Sequence, residues 1–233
     1  MQTVILCGGK GTRLGPVPDV PKPLLPVGER PLLWHLMKIY DAQGFRDFVL
    51  CLGHLPERFE AEFAHPPDGW RVRLFDTGLD TPTGGRVKRC EPLLEGDELF
   101  VTYGDGLADI DLDALLAFHH GHGRTATMTV ARTHASFGIV QVDAAGAVTA
   151  FEEKPLMREW VNGGFFVFSR RVFDYLAPDS PLEGEPFERL AAEGELMAYR
   201  HEGFWACMDT YKDNLALNEE WAGGSARWKL WPG

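Results

Sequence analysis

Thr3-Val4-Ile5-Leu6-Cys7-Gly8-Gly9-Lys10-Gly11-Thr12-Arg13-Leu14 decides the fold of this chain. Thr3–Cys7 is a short continuous apolar run, as a strand buried on both faces requires, and it empties into a glycine-rich turn. In open α/β sheets, ligands gather where strands end at their carboxyl side. The glycines let the backbone wrap a phosphate chain, and Thr12 and Arg13 add a hydroxyl and a guanidinium. A P-loop needs Gly-Lys-Ser/Thr, whereas Lys10 is followed by Gly11; a dinucleotide fingerprint starting at Gly9 needs a small residue where Leu14 stands. A plain glycine-rich turn would read the same way. Pro21-Lys22-Pro23 favours the functional reading, because two prolines stiffen the backbone around a single lysine.

Downstream, the pattern alternates. Leu32, Leu33, Leu36, Ile39 and Tyr40 recur at helical spacing after Pro31, Phe48–Leu52 reads as a second buried strand, and Pro56 opens a second helix. Val72–Asp76 is a third strand, 84–94 a helix, Leu99–Tyr103 a fourth strand and 111–120 another helix. This alternation predicts an α/β fold with a parallel sheet. After Arg124, strand-like runs over 125–133, 137–142, 148–153 and 161–168 follow closely, with a turn at Asp143–Gly146. Short helices are expected over 170–175 and 186–193, a strand over 196–201 and a last helix over 210–221. The expected organisation is one domain, with a nucleotide-binding half (1–123), an acceptor-binding half (124–233), and the second half extending the same sheet.

Composition narrows the function. With 34 Asp and Glu against 23 Lys and Arg, the net charge of −11 argues against nucleic-acid binding, which needs a basic surface. The 233 residues suffice for a core without disulfide or zinc. Cys7, Cys51, Cys90 and Cys207 form no C-x-x-C pair, and His119-His120-Gly121-His122 lacks partners at zinc spacing. The apolar start is too short for a signal peptide and no stretch approaches a membrane span, so a soluble, cytoplasmic protein is expected.

Other strand ends carry chemistry too. Asp105, between Gly104 and Gly106, suits a hard divalent cation, although such a residue also orders turns. Glu153-Lys154-Pro155 leaves a strand, and Asn162-Gly163-Gly164 opens one, where absent side chains permit close approach of a ligand. Asp209-Thr210 starts a helix, so a capping role competes with a functional one.

In chain order, GGKGTRL, PKPLLPVG, YGDG, FEEKP, NGGFF and MDT resemble the sugar-1-phosphate nucleotidyltransferases. RPLLWHLMKIY, DTGLDTPTGGRVKR, TYGDGLADIDL and GFWACMDTYKDN are similar to bacterial glucose-1-phosphate cytidylyltransferases in particular. The resemblance implies a Rossmann-like, glycosyltransferase-A-like fold: a mixed, mostly parallel central sheet flanked by helices. It implies that Gly8, Gly9, Gly11, Thr12 and Arg13, at the end of the strand holding Leu6, cradle the triphosphate, with Lys22 at the α-phosphate. Thr83, Gly84, Gly85 and Arg86 would line the base, and Tyr103 and Gly104 would flank the nucleotide beside Asp105. Asp105 and Asp209 would hold Mg2+, Lys154 would anchor the sugar phosphate, and Gly138, Glu153, Asn162 and Gly163 would contact the sugar. Arg13, Lys22, Asp105 and Asp209 form the implied catalytic set.

The implied partners are CTP, or another nucleoside triphosphate, and a sugar phosphate or other phosphorylated small molecule, in a homo-oligomer that binds neither nucleic acid nor membrane. The chain departs from the resemblance at Val20 and Ser136, where arginine is usual, and at Leu55, where lysine is usual. Its segment between Gly53 and Asp76 is also shorter, which leaves the acceptor open. Two rival readings are a metal-dependent glycosyltransferase using Asp109-Ile110-Asp111 and a non-catalytic sensor of nucleotide sugars.

Overall fold

Every residue of β1 (Gln2–Leu6) is buried, and its neighbour β4 (Asp47–Leu52) is buried throughout as well. Strands covered on both faces are the signature of a sheet between two helix layers. The computed structural model describes residues 1–11, 20–67 and 69–232, so Thr12, Arg13 and Leu14 lie outside the described residues. In chain order come β1, β2 (Pro26–Val27), β3 (Arg30–Pro31), α1 (Leu32–Asp41), β4, α2 (Pro56–Glu62), β5 (Arg71–Asp76), α3 (Thr83–Cys90), β6 (Glu98–Tyr103), β7 (Gly106–Ala108) and α4 (Leu112–His122). Then follow β8 (Ala126–Ala131), β9 (Ile139–Val142), β10 (Val148–Glu152), β11 (Val161–Ser169), α5 (Glu185–Ala192), β12 (Leu196–Arg200), β13 (Trp205–Cys207) and α6 (Tyr211–Ala222).

The central sheet has seven strands in the order β12-β8-β11-β6-β1-β4-β5, and β11 alone among them runs antiparallel to its neighbours. Residues 1–123 and 124–233 therefore share one sheet through the β6–β11 pair, where Phe166 faces Val101. One side chain set of the sheet packs with α1, α2, α4 and α6 through Leu36, Phe59, Leu115 and Leu217. The opposite set, including Val4, Val49 and Val101, packs with α3 and α5 through Val87 and Leu190.

The structure corrects three expectations. The hairpin of β9 and β10 does not extend the central sheet; it is a separate two-stranded ribbon with Phe137, Val142, Val148 and Phe151 exposed. Strand-like alternation marked these residues as strands but could not say which sheet they join. The helix expected over 84–94 is α3 as far as Cys90, followed by a 3-10 turn at Glu91–Leu93. Pro92 lacks the N–H that a longer α-helix needs. Finally, β7 and β13 form an antiparallel ribbon that the sequence pattern did not announce, because three-residue strands carry too few alternations to read. Among the described residues no helix is long and apolar enough to cross a membrane.

Candidate active site

The β7–β13 ribbon builds the site. Its register sets Cys207 opposite Gly106, and the Met208 amide donates to the Asp105 carbonyl over 2.9 Å. Residues distant in sequence thus meet: the loop after β6 carries Asp105, and the loop after β13 carries Asp209. Thr210 is the N-cap of α6 and forms a reciprocal capping box with Asp213, worth about 1 kcal/mol. The capping duty therefore falls to Thr210, and Asp209 turns toward Lys22.

Lys22 Nζ lies 2.7 Å from Asp105 Oδ2 and 2.7 Å from Asp209 Oδ1. Pro21 and Pro23 hold this lysine in a short 3-10 turn, and Pro23 is buried against the Gly104 backbone. Burial pulls the lysine's pKa down, but the Asp105 charge and the hydrogen bonds to both aspartates outweigh it, leaving the pKa raised. The ammonium is therefore charged at any physiological pH.

A cleft of about 810 Å3 opens above this cluster, lined by the glycine turn from Gly8 to Gly11 and by Leu6, Lys22, Thr83, Tyr103 and Asn162. Asp105, Gly163 and Asp209 also face it. The backbone wraps closely at Gly8, where a Cβ would stand 2.0 Å from the Arg86 guanidinium. Lys10 pairs with Asp80 at 2.9 Å, an exposed contact from the glycine turn to the loop before α3.

The structure redraws the part expected to line the base. Arg86 is buried, and its guanidinium donates to the carbonyls of Gly8, Leu52 and Leu79 and to the Thr77 hydroxyl. Arg86 still reaches the cleft lining, and its four hydrogen bonds to the chain brace the glycine turn. Gly84 and Gly85 are buried against the segment 178–182 and are not in the cleft lining; a Cβ at Gly85 would meet the Pro178 carbonyl oxygen at 2.1 Å. Helix and loop pack so tightly here that glycine is a packing requirement. Thr83 does reach the cleft, yet its hydroxyl is engaged by Glu183 and by the Leu182 amide.

Glu183 is a residue that sequence reasoning missed. It accepts hydrogen bonds from Thr83 Oγ1 and from Tyr103 Oη, each at 2.5 Å, and the Asn162 side-chain amide donates to the same Tyr103 oxygen over 3.1 Å. Burial and then the Glu183 charge push the Tyr103 phenol well above its ordinary range, so it stays protonated and donates. One carboxylate thus ties together Thr83 and Tyr103, both expected at the nucleotide, and the Tyr103 oxygen carries the link on to Asn162, expected at the sugar. No sequence signal marked it, since it lies between Leu182 and Gly184 in an unpatterned loop.

Gly138, Glu153 and Lys154 are not brought to the cleft lining; they belong to the exposed hairpin region. Lys154 has a left-handed backbone, φ 46°, although it precedes proline, and its carbonyl accepts from His134 Nδ1 if that nitrogen carries the proton. The Asp-x-Asp pattern at 109–111 is engaged elsewhere. Asp111 caps α4 by accepting from the Ala114 amide, and Asp109 lies 3.0 Å from His201. Neither lines the cleft, which removes the footing of the glycosyltransferase reading.

Asp105, Cys207 and Asp209 each offer a ligand atom, all within 4.8 Å of one another. Burial and the two aspartate charges push the Cys207 thiol up to about 12, so it stays protonated near neutrality. The two carboxylates supply the hard oxygen donors that a divalent cation such as magnesium takes, and they fit it.

A glycine-walled cleft with convergent carboxylates, at the carboxyl ends of a mostly parallel sheet, defines a class of enzyme acting on nucleotide phosphates. The chain belongs to the sugar-1-phosphate nucleotidyltransferases: the family model described as "Nucleotidyl transferase" matches residues 2–213. It is 42% identical to the "Probable glucose-1-phosphate cytidylyltransferase" of Bacillus subtilis, across 99% of this chain and 100% of that protein. It is 41% identical to the "Glucose-1-phosphate cytidylyltransferase" of Salmonella typhi over the same shares. Among solved structures, HddC from Yersinia pseudotuberculosis superposes with a TM-score of 0.75 and 21% identity, over 94% of this chain and 99% of that one. At that identity the likeness is one of fold.

Proposed function

We propose that the protein couples CTP to glucose 1-phosphate, releasing pyrophosphate and forming CDP-glucose. The observation that carries the chemistry is Lys22 between Asp105 and Asp209 on the floor of a glycine-walled cleft. Full-length likeness to cytidylyltransferases supports the choice of base and acceptor. The acceptor phosphate oxygen attacks the α-phosphorus of CTP and the bond to the pyrophosphate leaving group breaks. The nucleophile is already anionic, so no general base is needed. What the reaction needs is positioning and cations, because two anions must be brought within bonding range.

Backbone amides of Gly8, Gly9 and Gly11 receive the triphosphate, with Thr12 and Arg13 following. Lys22 keeps a fixed positive charge at the α-phosphate, and Arg86 holds the glycine turn from below. Asp105 and Asp209 would hold the metal, which we take to be Mg2+ and which would supply neutralisation of the phosphate charge. Asn162 and Gly163 face the sugar. Lys154 meets the acceptor phosphate from the hairpin side, and Glu153 and Gly138 flank it there. We place the enzyme in the cytoplasm, as a homo-oligomer; the exposed apolar hairpin supports self-association, which light scattering tests.

The decisive experiment is a matrix of four nucleoside triphosphates against phosphorylated acceptors, monitored by pyrophosphate. CTP with glucose 1-phosphate should give the highest kcat/KM. A higher value for another pair reassigns the base or the acceptor, and binding without turnover revives the sensor reading.

A further inference from the structure

Trp160 stands just before β11, two residues from Asn162 on the cleft wall. The Arg132 guanidinium lies 4.6 Å from the Trp160 ring centroid, and that of Arg200 lies 5.7 Å from the same ring. Strand register explains the meeting. Val161 pairs with Ala131, and Arg200 pairs with Val130, so the three residues mark the same end of neighbouring strands.

Each exposed cation–π contact is worth about 0.5–1 kcal/mol. Repulsion between neighbouring like charges in water is of the same order, so stacking alone gives little reason to gather two arginines. Two other stacked arginines are neutralised: Arg189, over Tyr175, reaches Glu185 and Glu193, and Arg227, over Phe204, is held by Glu220. Arg30, over Trp34, and Arg170, over Phe173, have no ion pair among the described residues, but each is a single arginine on its ring. Among the described residues, no carboxylate lies within 4.0 Å of Arg132 or Arg200. In a chain with 34 acidic residues and 23 basic ones, that leaves two guanidinium groups on one ring with no carboxylate in ion-pair contact.

We propose that Arg132, Arg200 and Trp160 form an anion subsite beyond the Asn162 end of the cleft, taking a phosphomonoester. Two guanidinium forks suit a dianionic phosphoryl group, with a sugar face against the indole. The phosphate is borne either by the far end of a molecule seated at Asn162 or by a separate phosphorylated sugar.

The test is calorimetric titration of the full chain with glucose 6-phosphate, without nucleotide. Wild-type protein binds, and Arg132→Ala with Arg200→Ala weakens binding by about tenfold or more, as loss of charge-assisted bonds predicts. Arg132→Lys with Arg200→Lys retains part of it. Both arginines are exposed, so the fold should survive, which circular dichroism checks. Unchanged affinity in the alanine pair, or no binding by wild type, overturns the proposal. Repeating the titration under saturating glucose 1-phosphate identifies the source: competition assigns the subsite to the cleft-bound molecule, and independent binding assigns it to a separate one. No turnover is measured, so failure here leaves the proposed activity standing.

Discussion

Lys22 touches both carboxylates of the site and is only 12% exposed, so no solvent ion substitutes for it readily. Lys22→Ala is expected to lower kcat by about 10²-fold, the loss typical of a preorganised electrostatic group; pyrophosphate release measures it. Glu183→Ala frees Thr83 and Tyr103 together. It should lower kcat/KM by about tenfold or more, the weight of hydrogen bonds to a charged group, while the Tyr103 phenol titrates lower once the neighbouring charge is gone. Glu183→Gln keeps polar atoms in reach of both hydroxyls and should recover most of the rate. Lys154→Gly separates backbone from charge. Glycine relieves the left-handed φ by about 1 kcal/mol, so the melting temperature should hold or rise while the KM for the sugar phosphate increases. Of these residues, Lys22 and Lys154 stood out in sequence because proline flanks them. Glu183 did not, because its role comes from a loop folding back onto a distant helix.

At the scale of elements, long runs were legible and short ones were not. The buried strands β1 and β4 and the helix α1 announce themselves by hydrophobic continuity and period. The β7–β13 ribbon, on which the whole site depends, has three residues a side and no period to detect. Helix α3 shows a different gap. Its paired glycines looked like ligand-facing backbone, whereas the structure presses them against the segment 178–182. Gly85→Ala should therefore destabilise by about 1–3 kcal/mol through overpacking, read as a lowered melting temperature. A stability equal to wild type would refute the close approach.

For the molecule as a whole, two buried histidines set an acid limit. His35 bonds the Val27 carbonyl and lies in a cluster with Trp221 and Trp228, while His119 bonds Thr127. Burial lowers both to about 4, from an ordinary value of 6.5. A depressed folded value means that the unfolded chain takes up protons first. Stability is thus full above pH 6.5 and falls as the pH drops toward 4, by up to about 1.4 kcal/mol per pH unit for each histidine. Melting temperatures should be level from pH 7 to 8 and decline below 6.5, with a shallower decline between pH 6.5 and 5 in His119→Gln.

Lys22 and Asp209 are 187 positions apart in the chain, yet their side chains share a hydrogen bond. At roughly 5–20 residues per second of synthesis, the glycine turn leaves the ribosome on the order of ten to forty seconds before its last partner exists. A nascent or truncated chain ending short of residue 209 would carry much of the phosphate cradle without the second carboxylate. Such a chain should therefore fail to release pyrophosphate, because a residue proposed to hold the metal is missing.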